Sequence, residues 1–221
     1  MSSINAKTYE PTASAHVAFI GMGVMGYPMA GHLATAGHAV TVYNRSPAKA
    51  EAWVKEFAAS KAPKSALTPR EAAKGASIVF CCVGNDNDLR SVVFGADGIL
   101  AGMEPGTVLV DHTTASADVA REIYTAAKNL GIHFIDAPVS GGQGGAQNGM
   151  LTVMCGGDAA VFEQVKKAKT RSERRAEEPE EPEQVQKKPV RRKERRSEYW
   201  VYRHDQMRGN AMKIRFQECE E

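Results

Sequence analysis

His16 to Leu33 reads HVAFIGMGVMGYPMAGHL, and its reading decides the fold. A short apolar run, Val17 to Ile20, ends at Gly21, and Gly21, Gly23 and Gly26 then make a G-x-G-x-x-G pattern. Beyond them apolar residues recur at helical spacing, at Met25, Met29 and Leu33. The stretch therefore predicts a strand, a tight turn and a helix opening. Each glycine has a use in such a turn: Gly21 permits the bend, Gly23 lets the backbone approach a pyrophosphate, and Gly26 lets helix and strand pack closely. The helix N-terminus offers unpaired N–H groups and a positive dipole end to phosphates. A second strand, Ala39 to Tyr43, follows at the distance of one βαβ unit, which favours a dinucleotide site over a bare turn.

Working outward, residues 1–15 have no periodicity and are expected to be a disordered leader. The first helix is expected over Val24 to Ala36, with Gly37 as its C-cap. Ser46 and Pro47 read as the N-cap and first residue of a helix reaching Ala59. A short helix over Leu67 to Lys74 opens at Thr68 and Pro69. Ser77 to Val83 lacks polar alternation and suits a strand covered on both faces. A polar turn, Gly84 to Asp88, leads into a helix ending near Val93. Thr107 to Val110 is a strand ending at Asp111, Ser116 to Leu130 a helix capped by Gly131, and His133 to Ile135 a strand ending at Asp136. This alternation predicts an α/β, Rossmann-type, doubly wound and mostly parallel sheet over residues 16–168. Ligands in such sheets sit beyond the carboxyl ends of the strands. The loops at Asn44, Gly84, Asp111 and Asp136 should rim one crevice with the glycine turn.

The residue after the second strand selects the cofactor. A carboxylate there suits the ribose hydroxyl of NAD, and an arginine suits the 2′-phosphate of NADP. The chain has Asn44-Arg45-Ser46, with no acid. Arg45 offers a planar donor fork and Ser46 a hydroxyl, so NADP(H) is expected over NAD(H).

Asp136 to Gly157, DAPVSGGQGGAQNGMLTVMCGG, is a second glycine-rich stretch. Taken alone it suits either a loop presenting N–H groups to an anion or a hairpin with a mobile tip, with Leu151 to Cys155 as a returning strand. The formal net charge of +2 gives no global reason to expect a nucleic-acid partner. No run of about 18 apolar residues is present, so no membrane span is expected. The N-terminus lacks the pattern of a targeting peptide. The expected location is cytoplasmic, with a mitochondrial one left open. Cys81, Cys82, Cys155 and Cys219 have neither disulfide-framework nor zinc spacing. Adjacent Cys81 and Cys82 should point to opposite faces of a buried strand.

The segments FIGMGVMGYPMAGHL, VYNRSPAK, VDHTTAS and DAPVSGGQGGAQNGMLTVMCGG, in this order and spacing, resemble the 3-hydroxyisobutyrate dehydrogenase group of β-hydroxyacid dehydrogenases. These are relatives of the NADP-binding domain of 6-phosphogluconate dehydrogenase. The resemblance covers Val17 to Val165. It implies NAD(P)-linked oxidation of a small β-hydroxy acid to a semialdehyde, or the reverse. It puts the cofactor on the glycine turn, Gly21, Met22, Gly23, Val24, Met25 and Gly26. It puts the adenosine side on Asn44 and Arg45, and the nicotinamide side on Thr114. The family's Leu-Pro pair falls on Val83 and Gly84, a departure that leaves a backbone contact available. The substrate-carboxylate loop falls on Ser140, Gly141 and Gly142.

The resemblance stops after Val165. Lys169 to Glu198 has no Leu, Ile, Phe or Met and carries Pro179, Pro182 and Pro189. A segment of this kind cannot bury enough apolar surface to offset its ordering entropy. Residues 169–221 are expected to be a largely disordered tail. Its mixed signs favour a solvated linker over a nucleic-acid arm at Arg191 to Arg196. Gly209 to Gln217, GNAMKIRFQ, is similar to the family's lysine motif, which makes Lys213 the candidate catalytic lysine. Phe216 stands where the family has asparagine, and a chance G-x-x-x-K in a basic tail is the alternative. One expectation accounts for the pattern. An intervening stretch, such as an unspliced intron, has replaced the last strand, and the family's all-helical domain is absent. The chain should then bind cofactor but turn over slowly or not at all; a homo-oligomer is allowed. The rival readings are an active dehydrogenase using Lys213, a silent nucleotide-binding protein, and an imine-reducing relative.

Overall fold

The computed structural model describes Ile4, Tyr9 and residues 13–169 and 199–203. Among these residues nine strands form one sheet, in the order β3-β2-β1-β4-β5-β6-β8-β7, with β9 on β8. β1 (His16–Ile20) leads through the glycine turn to α1 (Gly26–Thr35), then β2 (Ala39–Tyr43) and α2 (Pro47–Glu56). β3 (Lys64–Ser65) and α3 (Pro69–Ala73) precede β4 (Ile78–Cys81), α4 (Asp86–Val93), α5 (Ile99–Gly102), β5 (Val108–Asp111) and α6 (Ala117–Asn129). β6 (His133–Asp136), β7 (Val139–Ser140), α7 (Gly142–Gln147), β8 (Thr152–Gly157) and α8 (Ala159–Lys169) follow, and β9 is Tyr199–Arg203.

β1 to β6 pair in parallel, which needs a crossover connection between successive strands, while β8 runs antiparallel to β6, β7 and β9. β1 lies between β2 and β4, so the chain reverses its direction across the sheet between β1 and β4. That reversal opens a crevice at the carboxyl end of β1.

Successive residues of each central strand feed opposite cores. Val17, Phe19, Ile78, Phe80, Val108 and Val110 join one cluster with Ala30, Trp53 and Val161. Ala18, Ile20, Val79, Cys81 and Leu109 join the other with Leu89, Ile99, Val119 and Ile123. Helices thus cover both faces, which is why these strands read as unbroken apolar runs. Cys81 lies in the second core and Cys82 packs against the first, on opposite faces as expected. Ile4, in the leader, is buried in the first core.

Helix ends follow their caps. The Ser116 hydroxyl accepts from Val119 N–H at 3.4 Å, and the Thr68 hydroxyl from Glu71 N–H at 3.1 Å. Ser46 has extended N-cap geometry but makes no side-chain capping bond. Three features depart from expectation. α1 begins at Gly26, not Val24, because residues 23–25 form a turn in which Tyr27 N–H donates to Gly23 O at 3.0 Å. The second glycine stretch contains a helix, α7, anchored by buried Ala146. Finally, β9 comes from beyond the charged segment and lies along Thr152 to Gly156 of β8.

Trp53 is fully buried between α1 and α2, stacks on Phe57 at 4.9 Å, and donates from Nε1 to Tyr27 O at 3.2 Å. Trp53→Ala should lower unfolding free energy by about 3–5 kcal/mol in urea denaturation. A loss below about 1 kcal/mol would contradict this packing.

Candidate nucleotide-binding site

The glycine turn is built by exclusion. Gly21 has φ +101°, and a Cβ there would lie 2.2 Å from the Cys82 carbonyl oxygen. A Cβ on Gly26 would lie 1.9 Å from the Gly21 carbonyl oxygen and 2.9 Å from Phe19 Cε1. Only hydrogen fits at either position. At Gly23 the opposite holds: a Cβ would meet nothing within 4 Å. Gly23 is exposed and Val24 is 66% exposed, whereas Met22 is buried beneath them and Met25 is half-buried. The turn is therefore fixed from below and open above, as a backbone cradle for a pyrophosphate must be.

Neighbouring loops hold the turn in place. Gly21 N–H donates to Tyr43 O at 2.8 Å, and Met22 N–H to Asn44 Oδ1 at 2.9 Å. Asn44 Nδ2 donates to Ser46 O at 3.1 Å. Asn44 thus acts through its amide as the tie between the glycine turn and the end of β2. The Arg45 side chain is 86% exposed and reaches Asp88. Arg45 and Ser46 are exposed just past the end of β2.

The far wall is laced strand to strand. His112 N–H donates to Cys81 O and Ala137 N–H to Asp111 O, each at 2.7 Å. Val83 N–H donates to the Thr113 hydroxyl at 3.1 Å, and Thr113 N–H to Asp111 Oδ1 at 3.0 Å. His112 Nδ1 lies 2.7 Å from Ala137 O, which makes that nitrogen the protonated one, and its ring stacks on Phe80. Thr114, expected on the nicotinamide side, is exposed on this loop, while Thr113 is the buried tie. Val83 is half-buried and Gly84 exposed on the loop after β4.

Ser140, Gly141 and Gly142 are exposed where β7 passes into α7. Gly141 has φ +132° and Gly142 φ +61°. α1 holds this loop: His32 Nε2 donates to Ala146 O at 2.8 Å, and the leader's Tyr9 hydroxyl donates to His32 Nδ1. The structure thus places the residues expected on the crevice at one end of the sheet, with Lys213 outside the described residues. Asp88, Thr113 and His32 belong to the site's framework but were not singled out from the sequence. Their partners come from distant segments, and no local pattern marks them. Among the described residues no group of three or more His, Cys, Asp or Glu could hold a metal. No helix there is long and apolar enough to cross a membrane.

A doubly wound sheet with a fixed, open glycine cradle at its switch point defines a dinucleotide-binding domain of the Rossmann type. Its family is more specific: residues 16–170 match the NAD binding domain of 6-phosphogluconate dehydrogenase, and the chain belongs to that family. An uncharacterized oxidoreductase of Shewanella frigidimarina is 63% identical over 152 residues, 69% of this chain and 51% of that protein. A probable mitochondrial 3-hydroxyisobutyrate dehydrogenase-like protein of Arabidopsis thaliana is 41% identical over 157 residues, 71% of this chain and 50% of that one. Among solved structures, Mycobacterium tuberculosis 3-hydroxyisobutyrate dehydrogenase with L-serine is similar with a TM-score of 0.63. It is 31% identical, and the match covers 71% of this chain and 51% of that one. The chain spans about half the length of these relatives.

Asp111 and Asp136 are register partners at the ends of β5 and β6. Burial, opposed by hydrogen bonds from Thr113, raises Asp111 from 3.8 to about 7, with Asp136 nearby adding to the rise; burial raises Asp136 too. A folded pKa above the unfolded one means that the native state binds the extra proton. Stability should therefore fall as pH rises from about 4 to 7. In thermal melts, Asp111→Asn should flatten this dependence, removing a swing on the order of 2 kcal/mol between pH 5 and 8. An unchanged slope in the variant would contradict the assignment.

Proposed function

We propose that this chain is the NADP(H)-binding part of a 3-hydroxyisobutyrate dehydrogenase-type oxidoreductase, acting on a small β-hydroxy acid and its semialdehyde in a reducing, cytoplasmic compartment. The observation that carries the reading is the open Gly23 cradle with Asn44-Arg45-Ser46, an arginine and no acid, directly after β2. The residues present fit the cofactor. The glycine turn supplies the N–H groups of residues 23–26 and the α1 N-terminus for the pyrophosphate, the Gly21 and Met22 N–H groups being taken by Tyr43 O and Asn44 Oδ1. Arg45 and Ser46 supply a guanidinium fork and a hydroxyl for the 2′-phosphate. Val83, Gly84 and Thr114 line the route toward the nicotinamide end.

When bound, the nicotinamide supplies the hydride acceptor or donor. The chain's own groups position the reactants. Ser140, Gly141 and Gly142 offer a hydroxyl and a glycine backbone to the substrate carboxylate. The His32 bond to Ala146 O keeps that loop against α1, the helix that opens at the cofactor cradle. Lys213 is the proposed group that takes the hydroxyl proton and stabilises the oxyanion, because a desolvated ammonium can titrate near neutrality. His112 and Thr113 keep the far wall rigid, which preserves the alignment that hydride transfer needs.

Calorimetric titration of the full chain tests the reading. NADPH should bind at least about tenfold more tightly than NADH, reflecting charge-assisted bonds to the extra phosphate. Gly23→Val should melt like the parent chain, since the new side chain enters open space, yet lose at least about tenfold in affinity for both cofactors. Tighter binding of NADH, or undiminished binding by Gly23→Val, would overturn the proposal. Reduction of NADP with 3-hydroxyisobutyrate, lost in Lys213→Ala, would support the lysine assignment.

A further inference from the structure

Arg45 and Asp88 face each other across the glycine turn. Arg45 leaves the carboxyl end of β2, Asp88 lies in the first turn of α4 after β4, and β1 runs between those strands. Arg45 Nη1 stands 3.2 Å from Asp88 Oδ1. The other carboxylate oxygen accepts from Asn85 Nδ2 at 3.0 Å, and Asp88 N–H donates to Asn85 Oδ1 at 3.0 Å. A Cβ on Gly84 would sit 2.8 Å from Asp88 Oδ2, so the carboxylate lies directly over that glycine. Asp88 is thus held by its own helix cap while it reaches the guanidinium from the opposite bank.

An ion pair whose arginine is 86% exposed adds little to folding. Its consequence falls on what enters the groove. We infer that Asp88 is a specificity-determining residue that competes with the 2′-phosphate of NADP(H) for Arg45 and leaves NAD(H) unaffected. The inference rests on the NADP(H) reading of Arg45. A phosphate on the guanidinium must displace the Asp88 carboxylate or share the fork with it. In either case two anions stand within a Debye length at an exposed rim. NADP(H) bears this penalty, whereas NAD(H), which carries a hydroxyl there, does not. Asp88 therefore narrows the preference that Arg45 creates and makes NADP(H) affinity dependent on salt.

Calorimetry on the full chain with NADPH and NADH at low and high salt separates the outcomes. Asp88→Asn, isosteric and still able to bond Asn85, should bind NADPH about three- to tenfold more tightly at low salt, and less so at high salt. NADH affinity should stay within about twofold. Asp88→Ser should show the same gain, and Asp88→Glu should stay near the parent value. Measured against Arg45→Ala, the gain should shrink in Arg45→Ala/Asp88→Asn, because only direct repulsion of the phosphate is then left to relieve. If Arg45→Ala weakens NADPH selectively but neither neutral Asp88 variant tightens it, this inference is wrong and the cofactor reading stands. If Arg45→Ala leaves the affinities for NADPH and NADH both unchanged, the cofactor reading falls, and this inference with it.

Discussion

Where β1 hands the chain to α1 there is no room for a side chain. The Gly26 Cα faces the Gly21 carbonyl so closely that a Cβ would overlap it at 1.9 Å, and Gly21 itself turns with positive φ against the end of β4. This contact sets the angle at which α1 leaves the sheet. It brings the helix N-terminus over the crevice and forces the intervening backbone outward at Gly23. The binding surface is thus a by-product of close packing: the same glycines that let helix and strand touch leave main-chain amides as the only groups on offer. A phosphate is the ligand such a surface suits, since it needs several donors and no shape complementarity from side chains.

The rest of the crevice is held by polar ties between loops. Asn44 binds the glycine turn to β2, Thr113 binds β4 to β5, and His112 with Ala137 binds β5 to β6. Each tie pairs a backbone group that would otherwise end a strand unsatisfied. Their burial has an electrostatic consequence: Asp111, 1% exposed at the end of β5, holds its proton to near neutral pH. Charge is concentrated at the outer rim, where Arg45 and Asp88 span the opening, while on the inner wall burial raises both Asp111 and Asp136.

Much of this was legible in the chain. The G-x-G-x-x-G pattern, the apolar runs of β1, β4 and β5, and the caps Ser116, Thr68 and Gly131 each carry a local physical signal. The features that were not legible lack one. β3 is two exposed residues, Lys64 and Ser65, whose pairing with β2 leaves no hydrophobic trace. α7 is written GQGGAQ, a composition that penalises helix, and depends on Ala146 burial and on His32 from the first crossover. Within the HTTAS loop the sequence does not distinguish the buried Thr113 from the exposed Thr114, because that depends on the position of the β4 loop. In sequence Asp88 is one residue of a polar turn, and its relation to Arg45, 43 positions earlier, arises only once β1 separates their strands.

The central claim is that the glycine turn and the β2 rim together form the cofactor site. Amide chemical-shift mapping of the folded chain during NADPH titration tests it most directly. The account predicts that the largest perturbations fall on residues 21–26, with Arg45 and Ser46 responding to NADPH more than to NADH. Saturable binding whose perturbations lie elsewhere, with residues 21–26 unmoved, would contradict it.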